Sequence, residues 1–214
     1  MSYLPHIYPV GATFFVTFRL ADSLPQHIVK ELRIEYNEEG TKIKNEVNDT
    51  RKQKELIHNL RHKLFGRYDH QLDNNPYGEC HLKDSLIAKI LRDKVFQYQG
   101  IYYNVDALSI MPNHVHMLLD TSIQVSAKSD IAEAPEHYVD VSKWMQFIKG
   151  GSSFLINKLL KRSGTLWEKE SYDHYVRFNN PGEYERIKEY IEQNPVKAGL
   201  EDRFSRIPYL FSCG

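Results

Sequence analysis

The stretch from Ile101 to Asp120 constrains this chain most. Two segments that read as strands, 101–110 and 113–120, are separated only by Met111-Pro112-Asn113. A parallel crossover needs a dozen residues or more, so these two strands are expected to pair antiparallel as a hairpin. Thr13 to Leu20 (TFFVTFRL) is rich in β-branched and aromatic residues and reads as a further strand. Tyr175 to Phe178 reads as a short fourth one.

The remaining patterns are helical. One helix starts at Leu24-Pro25, with Ile28, Leu32 and Tyr36 at apolar spacing. Residues 37–63 carry many charges of both signs and read as an exposed helical extension, and the turn-rich residues 66–79 read as a loop. Lys83 to Tyr98 repeats apolar residues at Leu86, Ile87, Ile90, Leu91 and Val95, and Gly100 ends it. Residues 121–138 are irregular. Val141 to Leu160 is helical, with an interruption expected at Gly150-Gly151. Pro181 to Asn194 is the last helix, and Pro195 is expected to stop it. The order β, α, α, β, β, α, β, α implies an α+β fold: a sheet with helices packed on one face. A single domain over 1–214 is expected, with a helical insertion around 37–83 before the second strand.

Charge excludes some classes. The 28 basic and 28 acidic residues cancel, which argues against a general nucleic-acid coat. One segment departs from this balance. Lys143, Lys149, Lys158, Lys161 and Arg162 fall in a run without an acid. It reads either as a solvated helix face or as a phosphate-contacting surface. Cys80 and Cys213 form no CxxC, which suits a reducing cytosol, so a cytoplasmic location is expected. No apolar run approaches membrane length and no signal peptide opens the chain, so no membrane partner is expected. The P-loop, GxGxxG and GxSxG patterns are absent.

Two constellations carry chemistry. Side chains alternate along a strand, so His114 and His116 share a face while Val115 takes the other. Such a pair is either the polar face of a half-buried strand or two imidazoles converging on one ion. On the last helix Tyr190 and Asn194 stand four apart and stack on one side. They read either as a core tyrosine with a C-terminal cap or as a reactive pair facing the sheet.

Taken together, three ordered motifs are more specific than either constellation: MPNHVHMLL at 111–119, LWEKESYDHYVR at 166–177 and YIEQNPVKAGL at 190–200. With FGRYDHQLDNNPYGECHLKDSLIAKIL at 65–91, they resemble the single-tyrosine HUH transposases of the insertion-sequence-200-like group, and within it the REP-associated tyrosine transposases. The resemblance implies a ferredoxin-like fold. It implies Tyr190 as nucleophile and His114, His116 and Asn194 as ligands of a divalent ion, Mg²⁺ or Mn²⁺. It implies cleavage and strand transfer on single-stranded DNA bearing REP-like hairpins, through a 5′-phosphotyrosine, by a monomer or homodimer. The basic run would then track phosphates, and Trp144, Phe147 or Trp167 would either stack on bases or fill the core. His174 would be structural or DNA-facing. Two other readings stay open: another HUH endonuclease (a replication initiator or relaxase), and a catalytically silent ferredoxin-like module that binds single-stranded nucleic acid.

Overall fold

The computed structural model describes residues 8–74, 77–125, 135–177 and 180–213. By its internal contacts the chain divides into two compact units, Met1–Ala21 with Cys80–Gly214, and Asp22–Glu79.

The first unit is built on five strands, β1 (Thr13–Arg19), β2 (Asn104–Ile110), β3 (His114–Asp120), β4 (Tyr172–Tyr175) and β5 (Leu210–Ser212). Their order is β4-β1-β3-β2-β5, and every neighbouring pair is antiparallel. The first four have the ferredoxin-like order, with β2 and β3 forming the expected hairpin. Met111 N–H donates to His114 O at 2.9 Å and closes that hairpin.

Alternation gives the sheet two unlike faces. Phe14, Val16 and Phe18 of β1 line up with Val115, Met117 and Leu119 of β3 and with Leu108 and Ile110 of β2. All are buried, and all belong to one core with α3 (Ser85–Phe96) and α4 (Val141–Leu159). Ile87, Leu91 and Val95 supply the α3 face, and Trp144, Ile148 and Ile156 the α4 face. The opposite face carries Phe15, Thr17, His114, His116, Leu118, Ala107 and Ser109. There α5 (Glu183–Lys197) lays Tyr190 against Phe15 and His116. Helices on one face therefore describes α3 and α4, while α5 takes the polar face.

Local chemistry sets the helix starts. The Asp84 carboxylate accepts from Leu86 N at 2.8 Å and Ile87 N at 3.3 Å, capping α3. The Asp140 carboxylate accepts from Lys143 N at 3.1 Å and caps α4. No break occurs at Gly150-Gly151, and α4 is continuous. A Cβ on Gly151 would come within 3.1 Å of Lys94 Cδ, so this glycine serves close approach of α3 to α4 rather than a break. Pro195 likewise does not stop α5, which runs on to Lys197 because Ala198 N–H still reaches Asn194 O at 2.9 Å.

Two further boundaries differ from the sequence reading. The fourth strand is Tyr172–Tyr175, three residues earlier than expected, because it pairs Tyr175 with Phe14 and Tyr172 with Thr17. Phe178 lies outside the described residues. Residues 66–74 are not loop but the end of a helix.

That helix belongs to the second unit, a pair made of α1 (Gln26–Glu46) and α2 (Thr50–Asn74) joined by three residues. Asp49 caps α2 by accepting from Arg51 N at 2.8 Å and Lys52 N at 3.2 Å. Glu35 on α1 pairs with Arg67 on α2. Leu60, Leu64 and Leu72 hold helical spacing through the segment whose Gly, Asp and Asn content suggests turns. Among the described residues no helix is long and apolar enough to cross a membrane.

Met117 tests the two-faced sheet. It is fully buried on the central strand and points away from the histidines. Met117→Ala should cost about 2–5 kcal/mol in urea unfolding. A loss below ~1 kcal/mol would mean that this face is not the main core.

Candidate metal and nucleophile site on the polar face of the sheet

His114 and His116 are two residues apart on β3, and both are fully buried. Their rings are oriented by the atoms behind them. Asn113 Oδ1 lies 2.7 Å from His114 Nδ1, and Thr17 Oγ1 lies 2.7 Å from His116 Nδ1. Thr17 is in place because β1 registers it opposite His116. Asn113 Oδ1 can only accept, so His114 carries its proton on Nδ1 and turns Nε2, as an acceptor, toward His116. The two Nε2 atoms face each other at 2.9 Å. Two imidazole nitrogens bound at about 2.1 Å on adjacent vertices of an octahedron would stand about 3 Å apart. The pair therefore has the spacing of neighbouring ligands on one ion.

Electrostatics agree with a neutral pair. Burial pushes His114 down to about 3. Burial also drives His116 well below its ordinary value, and the neighbouring His114 adds to the shift. Two neutral imidazoles with converging Nε2 atoms suit a cation.

Tyr190 stands over this pair. Its ring centroid is 5.5 Å from that of His116 and 6.0 Å from that of Phe15. Phe15 in turn stacks on His116 at 5.8 Å. The helix rise carries Asn194 about 6 Å further along the same side of α5. Asn194 is buried, and neither its Oδ1 nor its Nδ2 has a partner. An orphaned buried amide normally costs about 1–3 kcal/mol. Its Oδ1 is a neutral oxygen donor, and two imidazoles with one such oxygen form a donor set that suits a divalent ion.

The predicted residues thus sort into groups. The structure brings His114, His116 and Tyr190 together and puts Asn194 one turn beyond Tyr190 on the same helix side. It does not gather the basic run. Lys149 and Lys158 lie half a turn apart around α4, nine residues along. Lys149 Nζ donates to Lys169 O at 2.9 Å and Ser171 Oγ at 3.3 Å, and burial lowers its ammonium to about 8. Lys143, Lys158, Lys161 and Arg162 are exposed. Arg162 spends part of its guanidinium on His81 Nε2 at 3.1 Å and Thr165 O at 3.2 Å. Trp144 and Trp167 are core, the latter donating to Ser152 Oγ at 2.9 Å. Phe147 packs beside Tyr98 and Tyr102.

Three site residues were not foreseen. Thr17 and Asn113 orient the imidazoles. Lys197 places its ammonium 5.8 Å from the Tyr190 ring centroid. Lys197 was findable, since seven residues return to the same helix side. Thr17 was not, because its partner is 99 residues away.

No family model matches the chain, and no curated protein matches it. Among solved structures the chain is similar to a REP-associated tyrosine transposase bound to a REP hairpin. The TM-score is 0.46, with 18% identity over 98% of this chain and 82% of that one. It is also similar to a protein described as a candidate transposase from Deinococcus radiodurans R1. Here the TM-score is 0.33, with 14% identity over 89% of this chain and 95% of that one. Both likenesses are remote, and the functional reading rests on the site's own residues.

The orphaned amide yields a stability test. Asn194→Leu keeps the volume and removes two unsatisfied buried atoms. In metal-free protein it should raise stability by about 1 kcal/mol or more. Destabilisation by a similar amount would mean that Asn194 is satisfied by the protein alone.

Proposed function

We propose that the protein is a divalent-metal-dependent endonuclease and strand transferase of the single-tyrosine HUH transposase type, acting on single-stranded DNA beside hairpins. The observation that supports this most is the packing of one tyrosine ring over two buried histidines whose Nε2 atoms converge at 2.9 Å. A helix-borne phenol beside a cation site suits attack on a phosphodiester. The ordered motifs at 111–119, 166–177 and 190–200 point to the same chemistry.

His114 and His116 would hold the ion through Nε2, with Asn194 Oδ1 as the third protein donor. Mg²⁺ or Mn²⁺ held there would neutralise a non-bridging phosphate oxygen and make phosphorus more electrophilic. Tyr190 Oη attacks phosphorus. The new bond is Tyr190 Oη–P, the bond that breaks is P–O3′, and the phenol proton balances the released 3′-hydroxyl. The DNA is left attached by its 5′-phosphate. Attack by another 3′-hydroxyl reverses these bonds and rejoins strands, so no nucleotide cofactor is consumed. A free tyrosine ionises near pH 10 and is a weak nucleophile at neutrality. Lys197 Nζ lies 5.8 Å from the centre of the Tyr190 ring.

This arrangement favours an enzyme over a silent binding module, since binding a strand does not require two buried imidazoles with converging Nε2 atoms beneath a tyrosine. Tyr184 is poorly placed to act as a second nucleophile of the replication-initiator kind. It lies six residues from Tyr190 and hydrogen-bonds Asp106. Single strands carrying hairpins are the proposed partner, with the exposed Lys158, Lys161 and Arg162 contacting phosphates. The protein would act in the cytoplasm as a monomer or homodimer.

Tyr190→Phe should abolish the covalent protein–DNA adduct on a hairpin oligonucleotide while leaving Kd within about twofold. His114→Ala and His116→Ala should each abolish Mn²⁺-dependent cleavage, and Asn194→Ala should weaken it less. An adduct persisting in Tyr190→Phe removes the tyrosine from its role. For the backbone contacts, Lys158→Gln with Lys161→Gln should flatten the log–log salt dependence of single-strand binding by about 1.4. An unchanged slope returns this run to an ordinary solvated surface.

A further inference from the structure

His174 and Glu183 stand apart from the metal-and-tyrosine chemistry, yet they join the two elements on which it depends. His174 lies on β4 opposite Phe15, which puts it on the same sheet face as His116. Glu183 is the first residue of α5. His174 Nε2 and Glu183 Oε1 are 3.2 Å apart, and Arg177 N–H donates to Glu183 Oε2 at 2.7 Å. Both side chains are buried, at 5% and 8% exposure. Burial would raise the Glu183 carboxyl, but the Arg177 N–H and His174 outweigh it and hold the group below its ordinary value. The carboxylate is thus kept charged and fixed in place.

Two features make this tie consequential. The N-cap of α5 is Gly182, in the left-handed region at φ 74°, and no side chain caps the helix. Orientation of the first turn therefore falls to its own side chains: Arg186 donates to Pro181 O at 3.1 Å and Asn180 Oδ1 at 3.3 Å, and Glu183 reaches across to β4. Tyr190 is seven residues on, two turns along the same side of the helix, so the angle set at Glu183 is transmitted to the phenol. Further ties of α5 lie on the β2–β5 side: Tyr184 to Asp106, Lys188 to Cys213 O, and Glu192 to Ser212. On the β4 side the helix is held by Glu183 and His174.

We infer that His174 and Glu183 are positioning residues that set the tilt of α5 and hold Tyr190 at attacking distance over His114 and His116. In this role they act through Tyr190 and not on the reacting phosphate. This inference rests on Tyr190 being the nucleophile. A misplacement of about 1 Å in a reacting group can cost ~100-fold in rate.

The test compares wild type with His174→Phe, Glu183→Gln and His174→Gln in four measurements. These are amide hydrogen exchange without metal or DNA, Mn²⁺ affinity by calorimetry, Kd for a hairpin oligonucleotide, and the single-turnover rate of adduct formation. In His174→Phe and Glu183→Gln, the α5 amides should lose protection while β1 and β3 keep theirs. Mn²⁺ affinity and Kd should stay within about twofold, and the adduct rate should fall about 10- to 100-fold. His174→Gln keeps an N–H donor near the Nε2 position and should recover most of the rate. Unchanged exchange and rate in His174→Phe would overturn the inference. So would an equal loss of rate, Mn²⁺ affinity and Kd, which marks general unfolding. Absence of adduct in the wild type would sink the proposed function instead, and the exchange comparison would then decide the tether alone.

Discussion

Alternation along β3 is the constraint on which the rest of the structure depends. Val115, Met117 and Leu119 point into a core with α3 and α4, so His114 and His116 have no choice but the other face. A slip of one residue would exchange the two sets, burying imidazoles among aliphatic side chains and setting valine, methionine and leucine beneath α5. The hydrophobic effect on one face thereby fixes the polar geometry on the other. β1 then contributes on both sides of the same register, with Val16 and Phe18 to the core and Phe15 and Thr17 to the site.

The polar face is unusual in being covered. An antiparallel sheet often leaves its second face to water, yet here α5 lies over it and both histidines are sealed from solvent. Covering two imidazoles is tolerable because both are neutral and each is bonded through Nδ1. Asn194 is different, since both of its polar atoms are buried without partners. Sites that break the rule of satisfied polar groups are where function is expected to sit.

Much of this was legible in the sequence, for local reasons. The hairpin followed from a three-residue link, the HVH face from period two, and the Tyr190–Asn194 stack from period 3.6. What was misread depended on contacts distant in sequence. Gly151 looked like a break, but the neighbour it must admit is Lys94 on another helix. β4 was displaced because only pairing with β1 decides which residues of YDHYVR are strand. The turn-rich composition of 66–74 gave way to helix packing in the α1–α2 pair. The spread of Lys143, Lys149 and Lys158 around the axis of α4, with Lys149 taken up by backbone and hydroxyl acceptors, is a matter of geometry that order along the chain does not show. β5 is three residues long and left no pattern to find.

The central claim is that the lone pairs of His114 Nε2 and His116 Nε2 are aimed at a single cation position beneath Tyr190. Electron spin echo envelope modulation of Mn²⁺ added to the protein reads this directly, because it detects nitrogen bound to the metal. The account predicts coupling to two imidazole nitrogens in the wild type, and to one or none in His114→Ala and His116→Ala. A wild-type spectrum of fully hydrated Mn²⁺ without nitrogen coupling, at concentrations that support cleavage, would contradict it.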